Sequence, residues 1–170
     1  MKPHIELLSA KHNKKDFQCG KEMLDNYIRN QASQDIKRKL SACFVLVENE
    51  ETTTIQGYYT LASNSIPLYT IPEKWINKLP KSYTSIPTTL LGRLAVDTKF
   101  QGKKIGQILL IDALKRSYET TKIIGSFAVV VDPLDENAKK FYEKFGFIRL
   151  PDSEKMFIAM QALKELFEKM

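Results

Sequence analysis

The stretch Arg93 to Gln107, RLAVDTKFQGKKIGQ, decides how the rest of the chain is read. The apolar run Leu90 to Val96 ends in a polar turn, and a basic loop, Gln101 to Gly106, then opens into an apolar helical pattern. A strand feeding a glycine-containing basic loop at a helix start is suited to holding phosphates. The first backbone N–H groups of such a helix have no partners within it, and the helix dipole places partial positive charge at the same end. Lys103 and Lys104 add two full charges. The segment predicts a phosphate-bearing ligand bound by a strand–loop–helix unit.

Outward from that unit the pattern is mixed α/β. IELL near the N-terminus reads as a first strand. Residues 21–40 read as a helix, because Leu24, Ile28, Ala32, Ile36 and Leu40 recur at four-residue spacing. Phe44 to Val47 and Gly57 to Ala62 read as paired strands around the turn ENEETTT. The segment SIPLYTIPEKWINKLPKSYTSIP, punctuated by Pro67, Pro72, Pro80 and Pro87, reads as a crossover with one short helix over Glu73 to Leu79. Beyond the loop, a helix is expected from about Lys104 to Thr120, with Ile105, Leu109 and Ala113 in one row and Leu110, Leu114 and Tyr118 in another. Ser126 to Val131 reads as a buried strand. Asp135 is placed to cap a helix that ends at Gly146. Lys155 to Met160 reads as a last strand and Gln161 to Met170 as a tail helix. The order gives a strand–helix–strand crossover at the centre and one domain over residues 1–170.

Bulk properties narrow the partners. A chain of 170 residues with 43% hydrophobic and 27% charged side chains can bury one core and is not disordered. The net charge of +6 favours a polyanionic ligand without demanding nucleic acid. Cys19 and Cys43, the only cysteines, give neither a disulfide framework nor a metal-cluster spacing, so they read as packing residues in a reducing compartment and no metal is expected. No secretory pattern or membrane-length apolar run is present, and a cytoplasmic location is expected. His4 and His12 lie outside the motifs and read as surface residues.

A second motif, NAKKFYEKFGF, begins at Asn137. Together the two motifs resemble the signatures of the GNAT-superfamily N-acetyltransferases. The loop resembles the acyl-CoA signature R/Q-x-x-G-x-G/A, with Gln101 first, Gly106 last and Lys104 in place of the middle glycine. A helix-start residue needs no positive φ, so Lys104 is expected to offer its N–H from ordinary backbone. The second motif resembles N-x-x-A-x-x-F-Y-x-x-x-G-F, with Asn137 as its asparagine and Ala138, Phe141, Tyr142, Gly146 and Phe147 following. A narrower resemblance, carried by FQCGKEMLDNYIRNQASQD, IQGYYTLASNSI and IPTTLLGRLAVD, is to the GNAT-type toxins of bacterial toxin–antitoxin modules. Members of that family acetylate the α-amine of aminoacyl-tRNA.

The resemblance implies a GNAT fold, a mixed sheet flanked by helices and splayed between its two central strands, with acetyl-CoA in the wedge and CoA as product. It implies that main-chain groups of Leu94, Ala95 and Val96 hold the pantetheine arm, aided by Asn137, and that Gln101, Gly102, Lys103, Lys104, Ile105, Gly106 and Gln107 wrap the pyrophosphate. It implies Tyr142 as general acid, although Ala138, Phe141, Tyr142 and Phe145 also form a helical apolar stripe in which Tyr142 has a packing role. It further implies a homodimer neutralised by a ribbon–helix–helix antitoxin. Arg29, Lys37, Arg38 and Lys39 are candidates for the tRNA backbone and Arg93 for the acceptor end; the alternative for the helix charges is a solvated face. No residue declares itself as general base. An α-amine titrates near 7.7–8, about two units below a lysine, and needs one less. Two other readings remain open: an N-acetyltransferase for a small or protein amine, and a non-enzymatic binding module on the same scaffold.

Overall fold

The computed structural model describes residues 3–169. In chain order its elements are β1 (His4–Leu7), α1 (Glu22–Asn30), α2 (Ala32–Lys37), β2 (Ala42–Val47), β3 (Gly57–Pro67), α3 (Glu73–Ile76), β4 (Ser85–Val96), α4 (Ile105–Thr120), β5 (Ala128–Val131), α5 (Glu136–Lys144), β6 (Ile148–Arg149), β7 (Met156–Ala159) and α6 (Met160–Glu168). The strands hydrogen-bond in the order β1-β2-β3-β4-β5-β7-β6. β2 runs antiparallel to β1 and β3, and β7 antiparallel to β5 and β6, whereas β4 and β5 are parallel with Thr89 opposite Val129. A parallel pair needs a crossover connection, and α4 supplies it. The result is the mixed, helix-flanked α/β sheet expected. No helix among the described residues is long and apolar enough to cross a membrane.

The chain forms two compact units, Met1–Ala62 with Leu91–Ala113, and Ser63–Leu90 with Leu114–Met170. In the first, Phe17, Ile28, Cys43, Val45, Val47 and Tyr58 are buried together with Ala95. Successive strand residues face opposite sides of a sheet, so Tyr58 and Tyr59 enter different layers, and both are fully covered. Tyr58 meets Phe17 edge-on at 5.4 Å and donates its hydroxyl to Leu24 O at 2.7 Å. Tyr59 stacks on Phe44 at 5.1 Å and donates to Asp112 at 2.6 Å. Gly57 is required by close approach: a Cβ there would lie 2.7 Å from Leu109 Cδ1 and 2.9 Å from Ala95 O.

The single helix expected over 21–40 is two. The backbone breaks at Gln31 (φ −125°, ψ −35°), and Leu40, expected in the apolar row, is 62% exposed. A polar anchor accompanies the break. Buried Asp35 accepts from the Tyr27 hydroxyl at 2.8 Å and from Gln31 Nε2 at 3.4 Å. His12, read as a surface residue, is also buried. Its Nδ1 accepts from Ser9 N–H at 3.0 Å, which leaves Nε2–H to donate to Glu6 at 2.6 Å. The charged partner lies across a loop, which no local periodicity reports.

The second unit buries Ile66, Ile71, Ile86, Ala128, Val130, Leu150, Phe157 and Ala159, with Trp75 edge-on to Phe127 at 5.9 Å. Here the proline-punctuated segment is shorter than expected. β3 runs on to Pro67, β4 begins at Ser85, and Pro87 lies inside a strand, its carbonyl accepting from Phe127 N–H at 2.8 Å. Proline removes only a donor, so it is compatible with a strand where the ladder uses its carbonyl. The short helix ends at Ile76 rather than Leu79. The two-residue β6 is too brief to show a period. The expected end of the tail helix at Met170 lies outside the described residues.

Candidate active site

The residues singled out by the two motifs fall into two sets, one in each unit. In the first unit, β4 ends with Leu94 and Val96 half-covered and Ala95 buried, and the chain turns at Asp97. The Asp97 carboxylate, 2% exposed, accepts from Lys99 N–H at 2.9 Å and Gln18 N–H at 3.0 Å. Gln101 does not extend its side chain freely. Its Nε2 donates to Val96 O at 2.9 Å and to Cys19 O at 3.0 Å.

The loop then turns through two left-handed residues, Gly102 (φ +81°) and Lys104 (φ +63°). The expectation of ordinary backbone at Lys104 is therefore corrected: Lys104 adopts the conformation that the signature's glycine would adopt freely. Left-handed residues interspersed with ordinary ones curl the main chain so that successive N–H groups converge on one concavity, an arrangement that binds anions. Among the described residues, none of the N–H groups of residues 102–107 donates to a backbone carbonyl, and the first to do so is Ile108, to Lys104 O at 3.1 Å. Open space surrounds the Gly102 Cα, and the Lys103 ammonium lies 5.5 Å from the Phe100 ring centre. Ile105 anchors the helix start in the core at 7% exposure, while Gly106 and Gln107 remain half-covered. These residues fit a diphosphate.

Arg93 lies flat on α1, its guanidinium carbon 3.5 Å from the centre of the Tyr27 ring. Arg29 donates to Phe17 O, whereas Lys37, Arg38 and Lys39 stand exposed at the end of α2. Arg29 lines an open cavity of about 370 Å³ with His12, Asn13, Lys14, Lys15 and Asn30. Sequence alone does not single out Lys14 and Lys15, because a loop has no period to place them. Neither cysteine is a nucleophile. Burial, reinforced by Asp25, pushes the Cys19 thiol up to about 11, and burial pushes Cys43 to about 12, so both stay protonated.

In the second unit, Asp135 caps α5 by accepting from Ala138 N–H at 2.9 Å. In the signature N-x-x-A the first residue stands three before the alanine, which is Asp135 and not Asn137; Asn137 is exposed on the first turn. This corrects the placement of the motif. Tyr142, 8% exposed, packs its ring against Phe141 at 5.3 Å and Phe147 at 5.2 Å. Gly146, at φ +95°, turns the chain so that Phe147 N–H can return to Tyr142 O. Burial alone raises the Tyr142 phenol above its ordinary value. The Tyr142 phenol is thus buried among aromatic rings and protonated.

The chain is 35% identical to the tRNA-acetylating toxin of Mycobacterium tuberculosis over 131 residues, 77% of this chain and 75% of that one. Among solved structures, AtaT complexed with acetyl-methionyl-tRNAfMet is similar at a TM-score of 0.89 and 28% identity, over 98% of this chain and 99% of that one. A variant of AtaT bound to acetyl-CoA and to the C-terminus of the antitoxin AtaR is similar at 0.81 and 25%, over 97% and 98%. The model of the acetyltransferase (GNAT) domain matches residues 39–149, which include both the left-handed loop and Tyr142. The chain belongs to the GNAT family of acetyltransferases.

Proposed function

We propose that this N-acetyltransferase moves an acetyl group from acetyl-CoA to the α-amine of an aminoacyl-tRNA, and that it is the toxin of a toxin–antitoxin module. The likeness to the mycobacterial tRNA-acetylating toxin across three quarters of both chains carries this reading. When bound, acetyl-CoA supplies the acetyl group as a thioester. Main-chain groups of Leu94, Ala95 and Val96 hold its pantetheine arm. The N–H groups of residues 102–107 take its diphosphate, with Lys103 and Lys104 adding charge.

Tyr142 serves as general acid. Its raised phenol keeps the proton throughout the neutral range and donates it to the departing thiolate. The neutral amine forms its bond to the acetyl carbonyl carbon as the C–S bond breaks; the amine proton leaves to water, and water returns a proton to the Tyr142 phenolate. Acetylation turns the nucleophilic amine into an amide, which cannot attack the ester that holds the growing chain on its tRNA, so translation stops. Arg29, Lys14 and Lys15 around their shared cavity give a cationic surface for phosphates of the tRNA backbone. The neutralising partner is a separate ribbon–helix–helix antitoxin, and the toxin is a homodimer; the AtaT variant held by its antitoxin's C-terminus supports an antitoxin as partner, without bearing on its fold.

A reconstituted translation system tests the proposal. Protein synthesis should stop when the enzyme and acetyl-CoA are added together and continue when either is omitted. Undiminished synthesis with both present would turn the assignment toward a small or protein amine.

A further inference from the structure

The hydrogen bonds around Asp97 and Gln101 join two segments about 80 residues apart in sequence. From the loop, Thr98 N–H donates to Gln18 O at 2.9 Å, and Gln101 Nε2 donates to Cys19 O. From the other side, Gln18 N–H donates to the Asp97 carboxylate. The segment 17–20 is in turn fixed to α1, because Cys19 N–H donates to buried Asp25 at 2.7 Å and Arg29 donates to Phe17 O. Gly20, at φ +95°, stands where a Cβ would lie 3.9 Å from Thr98 Cγ2. Asp97 also holds its own turn: its N–H donates to Gln56 O, and Phe100 N–H returns to its carbonyl, both at 2.9 Å. These contacts surround the entrance to the left-handed loop, and most of the groups that make them are main-chain atoms with no other described partner.

We infer that Asp97 and Gln101 are positioning residues that clasp the acyl-CoA loop to the start of α1, so that cofactor affinity depends on a helix that precedes the loop by some 70 residues. The inference rests on the reading that residues 102–107 hold the CoA phosphates. The Gln101 amide is bound to two carbonyls rather than aimed outward, so it acts on the ligand through the loop and not by touching it. Unclasped, the loop must order its two left-handed residues when the ligand binds, and that ordering lowers affinity. The clasp also gives a physical reason for the Arg/Gln choice at the first position of the signature. Both side chains can donate to two carbonyls at once, which Met cannot.

Calorimetric titration with acetyl-CoA tests this without relying on turnover. Gln101→Met should raise the acetyl-CoA Kd about tenfold, the effect of losing one or two hydrogen bonds at an exposed site, while the melting temperature stays near that of the wild type. Gln101→Arg should restore the Kd to within about threefold of the wild type. In Asp97→Asn the amides of Gln18 and Lys99 should lose hydrogen-exchange protection together. Wild-type affinity in Gln101→Met would overturn the clasp while leaving the cofactor site in place. Failure of the wild-type chain itself to bind acetyl-CoA would overturn both.

Discussion

Arg93 and Tyr27 form a stacked pair, the guanidinium carbon 3.5 Å above the ring centre, and the ring's hydroxyl is held by Asp35 at 2.8 Å. The strand that leads into the cofactor loop is thereby joined to α1 by a cation on an aromatic face, with a buried acid behind it. Such a pair contributes about 0.5–2 kcal/mol, depending on its exposure. A double-mutant cycle of Arg93→Lys and Tyr27→Leu, read by urea denaturation, should show coupling in that range. Additivity within about 0.3 kcal/mol would mean that the stack contributes nothing.

Lys104 occupies a left-handed conformation at φ +63°. That conformation costs a non-glycine residue about 1–2 kcal/mol, partly offset by glycine's greater loss of freedom on folding. Lys104→Gly should therefore stabilise the protein by roughly 1 kcal/mol, or about 2–4 °C in melting temperature. It should also weaken acetyl-CoA binding, more at low salt than at high, because a charge beside the phosphates is lost. A lower melting temperature would contradict the strain, and unchanged affinity would remove Lys104 from the phosphate site.

Gly57 has no room for a side chain between β4 and α4, since a Cβ there would come within 2.7 Å of Leu109 Cδ1 and 2.9 Å of Ala95 O. Ala95 O is backbone and cannot rotate away. Gly57→Ala should cost about 1–3 kcal/mol, seen as a shifted denaturation midpoint. It should also weaken acetyl-CoA binding, since Ala95 and the start of α4 would be displaced together. A midpoint equal to that of the wild type would show that the layers give way easily.

Glu6 collects three donors: Lys11 at 2.8 Å, His12 at 2.6 Å and His4 at 2.7 Å. Burial alone would raise its pKa, but the hydrogen bonds from Lys11, His12 and His4 outweigh it and hold the carboxyl at about 2, against 4.5 in the unfolded chain. The folded state therefore binds this proton more weakly, and the stabilisation is complete above pH 4.5 and is lost as the pH falls toward 2. Glu6→Gln should flatten the dependence of stability on pH across that window. A variant with the same slope as the wild type would place the acid sensitivity elsewhere.

The two motifs carry most of what is legible in the sequence. The loop from Gln101 to Gly106 and the FY…GF helix fix the family, and the strand–helix–strand centre follows from apolar periods long enough to see. What escapes a sequence reading is non-local. Leu40 fits a helical row but falls beyond a break whose anchor, Asp35, is satisfied by Tyr27 eight residues earlier. His12 looks like a surface residue until Glu6 is brought to it. Lys104 looks like a tolerated replacement until its φ is known. Asn137 draws attention by its residue type, although the spacing belongs to Asp135, which caps the helix. For Leu40, His12 and Lys104 the deciding partner or angle is set by contacts beyond the local pattern, which override local preference, whereas the Asp135 spacing is legible in the sequence itself.

The most direct measurement is transfer of labelled acetyl from acetyl-CoA to a pool of charged tRNA, with products resolved by amino acid, for the wild-type enzyme and Tyr142→Phe. The wild type should place label on one or a few aminoacyl groups and none on uncharged tRNA. Tyr142→Phe should bind acetyl-CoA normally and transfer about 10²–10⁴-fold more slowly, the loss expected for a general acid. No label on any aminoacyl-tRNA from a wild-type enzyme that binds acetyl-CoA would contradict the tRNA assignment. Undiminished transfer by Tyr142→Phe would leave the substrate standing and remove the acid.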